Sequence, residues 1–270
     1  MSKYTVIGGK GFIGSHIVEL LRSKGEEVVV PERNCESIFK EDLDILIYAA
    51  GNGDCIQKPF EVFNSNCRLL SDILEKSTFN KLIYISSTRV YMEQEASEED
   101  ADVTICNSDK RRLFNLTKLV AEELCLKSGH DVVIVRPSNV YGLALNSTLF
   151  LPSIVRNAIN NNHIDMYVAP EYAKDYVSVT DVAEIIYKIS NHNEHIIYNI
   201  ASGENTSAQQ IADVITFNTG CTVDWHSGFV GEKFPVTDIT RSTVEFEYRY
   251  ANVLSDMKVM IDSFKKSLKP

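Results

Sequence analysis

A short apolar run, Tyr4–Ile7, leads directly into Gly8-Gly9-Lys10-Gly11-Phe12-Ile13-Gly14, and this junction restricts the possible folds more than any other feature of the chain. Glycines lack a Cβ, so the backbone can turn tightly and come close to a ligand. The amphipathic pattern from Phe12 to Ser23 then opens a helix at the turn, and the unpaired N–H groups of its first turn attract an anion such as a pyrophosphate. Gly8, Gly11 and Gly14, with Phe12 and Ile13 in that first helical turn, are therefore candidate cofactor-binding residues. A strand, a glycine turn and a helix in this order form the opening unit of a dinucleotide-binding domain.

The remainder of the chain continues the pattern. Val- and Ile-rich runs at Val28–Pro31, Ile45–Ala49, Leu82–Ser86, Val132–Arg136 and Ile196–Ile200 alternate with helix-period stretches. The latter are Glu61–Lys76, Arg111–Lys127, Leu149–Asn161, Val182–Ser190, Ser207–Thr219 and Val253–Lys266. Apolar strands separated by amphipathic helices predict an α/β fold, a doubly wound parallel sheet of the Rossmann type. Between Glu32 and Asp44 there is room only for a short excursion, so the sheet is expected to be shortened after its second strand. Residues 1–140 plus 176–200 read as the dinucleotide-binding domain, and 141–175 plus 201–270 as a smaller substrate lobe.

Composition removes several classes of function. With 270 residues, 44% of them hydrophobic, the chain can bury a full core. A formal charge of −10 argues against a nucleic-acid partner, which needs an excess of Lys and Arg along one face. No run of eighteen apolar residues predicts a membrane span, and Met1–Gly9 reads as a buried strand and not as a signal peptide, so a cytoplasmic location is expected. Cys35, Cys55, Cys67, Cys106, Cys125 and Cys221 form no CxxC pair and no Cys/His cluster at zinc spacing. They are expected to be reduced core thiols, and no metal site is predicted.

Glu32 lies roughly twenty residues beyond the glycines, where a carboxylate accepts hydrogen bonds from adenosine ribose hydroxyls and so favours NAD. Arg33 beside it could instead pair with a 2′-phosphate, which leaves the expected cofactor as NAD or NADP.

Further motifs follow in order. They are Ile47-Tyr48-Ala49-Ala50-Gly51, Asn66, Ile85-Ser86-Ser87-Thr88-Arg89-Val90-Tyr91 and Arg136-Pro137-Ser138-Asn139-Val140-Tyr141-Gly142. After these come Lys174-Asp175-Tyr176-Val177-Ser178-Val179-Thr180-Asp181-Val182-Ala183 and Tyr198-Asn199-Ile200-Ala201-Ser202-Gly203. On these motifs the chain resembles the extended short-chain dehydrogenase/reductases, a group of NAD-dependent epimerases, dehydratases and reductases acting on nucleotide sugars. The resemblance covers nearly the whole chain. It implies that Ala49, Ala50, Gly51, Asn66, Ser86, Pro137 and Ser138 join the glycines around the cofactor. It further implies that Asn139, Tyr91, Lys174 and Arg241 meet a nucleotide-sugar substrate. Relatives pair through the helices matching Glu61–Lys76 and Arg111–Lys127, which implies a homodimer.

In that family a Ser or Thr after the strand and a Tyr-x-x-x-Lys helix carry the chemistry. The matching residues are Ser87, with Thr88 beside it, and Phe114 and Lys118. The tyrosine is absent. Lys118 lies one helical turn beyond Phe114 on the same face, and by the resemblance it also contacts the cofactor. Phenylalanine cannot exchange a proton, so three readings stand: an engineered substitution that traps substrate, a natural enzyme using another acid, or a natural binder without redox activity. The dehydratase relatives place Asp-Glu directly after the Ser/Thr, where this chain has Thr88-Arg89, and the glutamate of decarboxylating relatives is also missing. The shortened sheet and small lobe are closer to the compact ketoreductases. The resemblance therefore implies reduction of a 4-keto-6-deoxy nucleotide sugar, with an epimerase or a non-catalytic NAD(P)-binding regulator or scaffold as alternatives.

Overall fold

The computed structural model describes residues 2–144, 149–226 and 231–268. Strand β1 (Lys3–Ile7) is buried along most of its length and ends at Gly8, whose positive φ of 83° turns the chain toward helix α1 (Phe12–Ser23). The strand β2 (Glu27–Val29), β3 (Ile45–Tyr48), a helical segment from α2 (Pro59–Phe63) to α3 (Leu69–Lys76), and β4 (Lys81–Ile85) follow. Next are α4 (Arg112–Lys127), β5 (Val132–Pro137), β6 (Asn139–Tyr141), α5 (Phe150–Asn161), β7 (His163–Met166) and β8 (Ala173–Ser178). The chain continues through α6 (Val179–Asn191), β9 (Ile197–Ile200), β10 (Asn205–Ser207), α7 (Ala208–Thr219), β11 (Thr222–Trp225), α8 (Thr240–Phe246) and α9 (Val253–Leu268).

Six strands form one sheet in the order β2-β1-β3-β4-β5-β9, and every pairing is parallel. Among the described residues no strand pairs outside β2. Residues Glu36–Phe39 make only a 3₁₀ turn there, which is the shortening expected from sequence. A core lies on each face of the sheet: Val6, Ile17, Leu21 and Ile185 on one, Leu46, Leu70, Ile73 and Ile134 on the other. Each side chain buried this completely contributes about 1.5–3 kcal/mol by leaving water. The alternation of helices on both faces is thus enforced by strands that are apolar on both sides.

The helix expected over Glu61–Lys76 begins two residues earlier, with Pro59 in the first turn where its missing N–H costs nothing. It carries a widened π turn at Asn64–Arg68 that buries Asn66 and Cys67. The short strands β6, β7, β8, β10 and β11 and the helix α8 were not expected. They are three to seven residues long and rich in polar residues, too short for a period to show.

A third core gathers Leu151, Ile154, Ile211, Ile215, Met257 and Phe264 from α5, α7 and α9. Residues 240–250, which fall in the expected C-terminal lobe, instead return to the sheet, where Phe246, Tyr248 and Tyr250 pack against the first core. All six cysteines are free thiols; Cys67, Cys125 and Cys221 are buried, whereas Cys35, Cys55 and Cys106 are half-buried and lie outside the expected core. Among the described residues, no helix is long and apolar enough to cross a membrane.

Candidate active site

The glycine turn is a cradle defined by close backbone approach. A Cβ on Gly8 would lie 2.6 Å from the Ala50 backbone nitrogen, and one on Gly14 would lie 2.3 Å from the Gly8 carbonyl oxygen. A Cβ on Gly11 would meet only the Gly8 carbonyl, at 3.2 Å, with its other sides open. No side chain caps the first turn of α1, so its N–H groups are left for a ligand. Glu32 and Arg33 follow β2 and are exposed, and Glu32 pairs with Lys10 from the glycine turn. These features fit the pyrophosphate and adenosine ribose of a dinucleotide.

The other end of the cradle is formed where β3, the π turn and α4 meet. Asn66 is fully buried: its amide donates to Thr117 Oγ1 (3.0 Å) and to the Asn52 carbonyl (3.2 Å), and its Oδ1 accepts from the Asn52 N–H (3.0 Å). Gly51 lies against this pair, since a Cβ there would be 3.1 Å from Asn66 Oδ1 and 3.6 Å from Lys118 Nζ. Lys118 is buried, and its ammonium donates to the Ile85 carbonyl at 2.7 Å. Burial pushes its pKa down to about 8, against the opposing pull of Glu122. The same Nζ sits 5.8 Å from the centre of the Phe114 ring. Ser87 caps the 3₁₀ turn Thr88–Tyr91 by accepting from the Arg89 N–H at 3.2 Å. The sequence-predicted group Ala49, Ala50, Gly51, Asn66, Phe114 and Lys118 therefore lies around one junction.

Several expected contacts are committed elsewhere. The Ser86 hydroxyl donates to Glu122, which in turn holds Arg136 through two hydrogen bonds of 3.1 and 2.6 Å. Tyr91 is buried; its phenol accepts from Arg136 (2.5 Å) and donates to Asn199 (3.0 Å), which leaves it poorly placed to act as an acid. The Ser138 hydroxyl, next to Pro137, donates to Asp175 at 2.5 Å, so the two serines have only backbone to offer a cofactor. Arg241 is held by Glu99, Asp100 and the Ile197 carbonyl. Asn139 and Thr88 do share a narrow cleft, with Tyr91, Asn205, Phe234 and Thr237.

Sequence reasoning missed a cationic cluster beside Phe114. Arg111, the residue before α4, places its guanidinium 5.0 Å over the Phe114 ring. Desolvation there, with the charge of Arg89 nearby, pushes its pKa down, and among the described residues it forms no ion pair. Arg89 is buried and bridges Asp109 (2.8 Å) and Glu232 (3.1 Å), while its Nε has no partner. Lys174, an expected substrate contact, joins the same cluster 3.7 Å from Glu232, and burial lowers its pKa to about 8. Lys110-Arg111-Arg112 at the positive end of a helix was the available signal, because such a cation run opposes the helix dipole.

A parallel sheet with a glycine cradle on its first strand, and a buried lysine at the far end of that cradle, define a Rossmann-type dinucleotide-binding protein. The chain belongs to the NAD dependent epimerase/dehydratase family, whose profile matches residues 4–201. It is similar to a UDP-N-acetyl-alpha-D-glucosaminuronate decarboxylase of Bacillus cytotoxicus, with 25% identity over 252 residues covering 78% of each chain. It is also similar to a dTDP-4-dehydro-6-deoxy-D-allose reductase of Streptomyces bikiniensis, at 23% identity, covering 78% of this chain and 79% of the relative. In fold it matches the structure of MoeE5 in complex with UDP-glucuronic acid and NAD, with a TM-score of 0.85, 19% identity and coverage of 98% and 100% of the two chains.

Proposed function

We propose that this protein is an NAD- or NADP-dependent reductase of a 4-keto-6-deoxy nucleotide sugar, working slowly because Phe114 stands where the family acid would be. The observation that carries the reading is the site around that ring: Lys118 is buried beside it, Arg111 lies over it, and Asp109 and Glu232 are both ion-paired to Arg89. Elimination of water from a sugar needs a free carboxylate base, and these two are held by a cation. Reduction of a ketone needs only stabilisation of a developing alkoxide and one proton.

When bound, the nicotinamide supplies hydride. The chain's own residues do the rest. Gly8, Gly11, Gly14 and the N-terminus of α1 hold the pyrophosphate, with Ala49, Ala50, Gly51, the backbone of Ser86 and Pro137–Ser138 along the cradle. Lys118 and Asn66 hold the ribose. Ser87, with Thr88 beside it, hydrogen-bonds the sugar oxygen, the Arg111 guanidinium stabilises the alkoxide that hydride transfer creates there, and in place of a phenol a solvent water gives the alkoxide its proton, which makes the step slow. Asn139 and Lys174 meet the substrate, Lys174 through its diphosphate. The relatives named above include a reductase of this substrate class, in support of the reading.

The absence of a proton on Phe114 also favours a second reading, a non-catalytic NAD(P)-binding regulator. The deciding experiment incubates the native chain with reduced cofactor and a panel of 4-keto-6-deoxy nucleotide sugars and follows the nicotinamide absorbance. Slow, substrate-dependent oxidation is expected. Cofactor binding without turnover on the panel, and without epimerisation of the corresponding hexoses, establishes the regulator instead. The exposed Phe60, Phe63, Leu116 and Val120 on the contacting helices α2 and α4 support a homodimer through these helices. Light scattering should give twice the chain mass, and Val120→Glu should give the monomer.

A further inference from the structure

Two imidazoles and two carboxylates meet on the small parallel sheet formed by β7 and β11, away from the glycine cradle. The register sets His163 beside Thr222 and Asp165 beside Asp224. Alternation along β7 buries Ile164 and Met166 in the lobe core and leaves His163 and Asp165 on the opposite face. His226 follows β11, tied by its N–H to the Met166 carbonyl at 2.8 Å.

His163 Nε2 is 3.4 Å from Asp165 Oδ1 and 3.7 Å from Asp224 Oδ2, and one donor atom from each of these residues lies within 4.8 Å of the others. His226 Nε2 donates a hydrogen bond to the same Asp165 oxygen at 2.6 Å, which fixes the carboxylate's orientation. Donors at ~2.0–2.2 Å around a tetrahedral ion are themselves about 3.3–3.6 Å apart, so the His163 distances suit an ion at the centre. The supporting contacts suit it as well. His163 Nδ1 lies 2.8 Å from Thr222 Oγ1, and with Nδ1–H donating to that hydroxyl the lone pair is on Nε2, facing the carboxylates. The His226 ring stacks on Tyr167 at 5.0 Å and 18° between planes, which restrains its orientation.

We propose that His163, Asp165 and Asp224 bind a divalent transition-metal ion, with zinc best matched to one imidazole, two carboxylates and a fourth position open to water, while His226 orients Asp165 through its hydrogen bond. The ion would clip together two strands far apart in sequence, fastening the exit of α5 to the exit of α7 in the lobe that faces the cleft. The absence of zinc-type spacing in the sequence does not conflict with this, because parallel pairing brings together two i, i+2 pairs separated by about sixty residues.

The test uses the full chain, with any histidine tag removed and metals stripped by chelation, titrated with Zn²⁺ by calorimetry and with Co²⁺ by absorbance. One ion per chain, the intense visible bands of tetrahedral Co²⁺, and a higher melting temperature with zinc are expected. Asp224→Asn and His226→Gln alter exposed side chains and should keep the fold, checked by circular dichroism, while each weakens zinc binding at least about tenfold. Saturable binding weaker than about 100 μM overturns the proposal. So does tight binding that both variants leave unchanged, because the ion would then reside elsewhere.

Discussion

The two ends of the cofactor cradle have kept different things. At the pyrophosphate end, backbone approaches of 2.3 and 2.6 Å leave no room for a side chain at Gly14 or Gly8, so sequence and geometry are locked together. At the end that faces substrate, Lys118 and Ser87 remain while the acid between them is a phenyl ring, and the surroundings are cationic: Arg111, Arg89 and Lys174. A cradle built of close backbone approaches tolerates little change, because any side chain there strikes the main chain. The chemistry at the sugar rests on side chains, which can be exchanged singly without moving the frame.

The strongest challenge to this contrast is Phe114→Tyr. General acid catalysis is typically worth about 10²–10⁴-fold, so reduction of the preferred 4-keto sugar should rise by that order if the substrate end lacks only a proton donor. Lys118 has a pKa near 8, and its charge is what would hold the new phenol toward neutrality. The gain should therefore fade as pH rises through about 8 and Lys118 loses its proton. Stopped-flow rates for both forms between pH 6 and 10 check this; a gain independent of pH removes Lys118 from the role.

At the other end, Gly11→Val and Gly14→Val separate binding from folding. A valine at 11 projects into largely open space where the pyrophosphate is expected, so cofactor affinity should fall about a hundredfold with the melting temperature little changed. A valine at 14 strikes the Gly8 carbonyl and should unfold the first βαβ unit. Calorimetry with NADH and thermal melts distinguish the two. Equal loss of stability in both would mean the cradle is merely a packed turn.

What the sequence revealed follows the same division. The glycine turn, the apolar strands and the shortened sheet were legible because each is written in consecutive residues with a clear period. The helix pair Phe114 and Lys118 was legible because i, i+4 residues share a face. Arg89, Glu232 and Asp109 were not, since their meeting depends on a loop more than a hundred residues downstream. Tyr91, Ser86 and Ser138 were legible as conspicuous positions, but their commitment to Arg136, Glu122 and Asp175 is a property of the folded core.

A smaller effect is expected from Arg111→Gln. The guanidinium lies over Phe114 without an ion pair among the described residues, so its removal should leave stability nearly intact. A charged hydrogen bond to a developing alkoxide is worth about 1.5–3 kcal/mol, and turnover should fall at least about tenfold with cofactor affinity unchanged. If Arg111→Gln lowers cofactor affinity and turnover in proportion, Arg111 belongs to the cradle and the division between the two ends is drawn in the wrong place.

The smallest effect concerns the adenosine end. In the proposed site Glu32 would accept the ribose hydroxyls of NAD and repel the 2′-phosphate of NADP, so Glu32→Ala should move preference toward NADP. The structure limits the size of that shift. Glu32 is exposed and already paired with Lys10, so water and a neighbouring cation both screen its charge. A change of about two- to fivefold in the NAD/NADP affinity ratio is expected, comparable to the removal of an exposed ion pair. Freeing Lys10 should work in the same direction, because its ammonium becomes available to the 2′-phosphate alongside Arg33. Lys10→Ala combined with Glu32→Ala should therefore recover part of the original preference. If the ratio does not move in either variant, Glu32 is a solvating group at the end of β2, and cofactor choice lies with Arg33 or with the backbone.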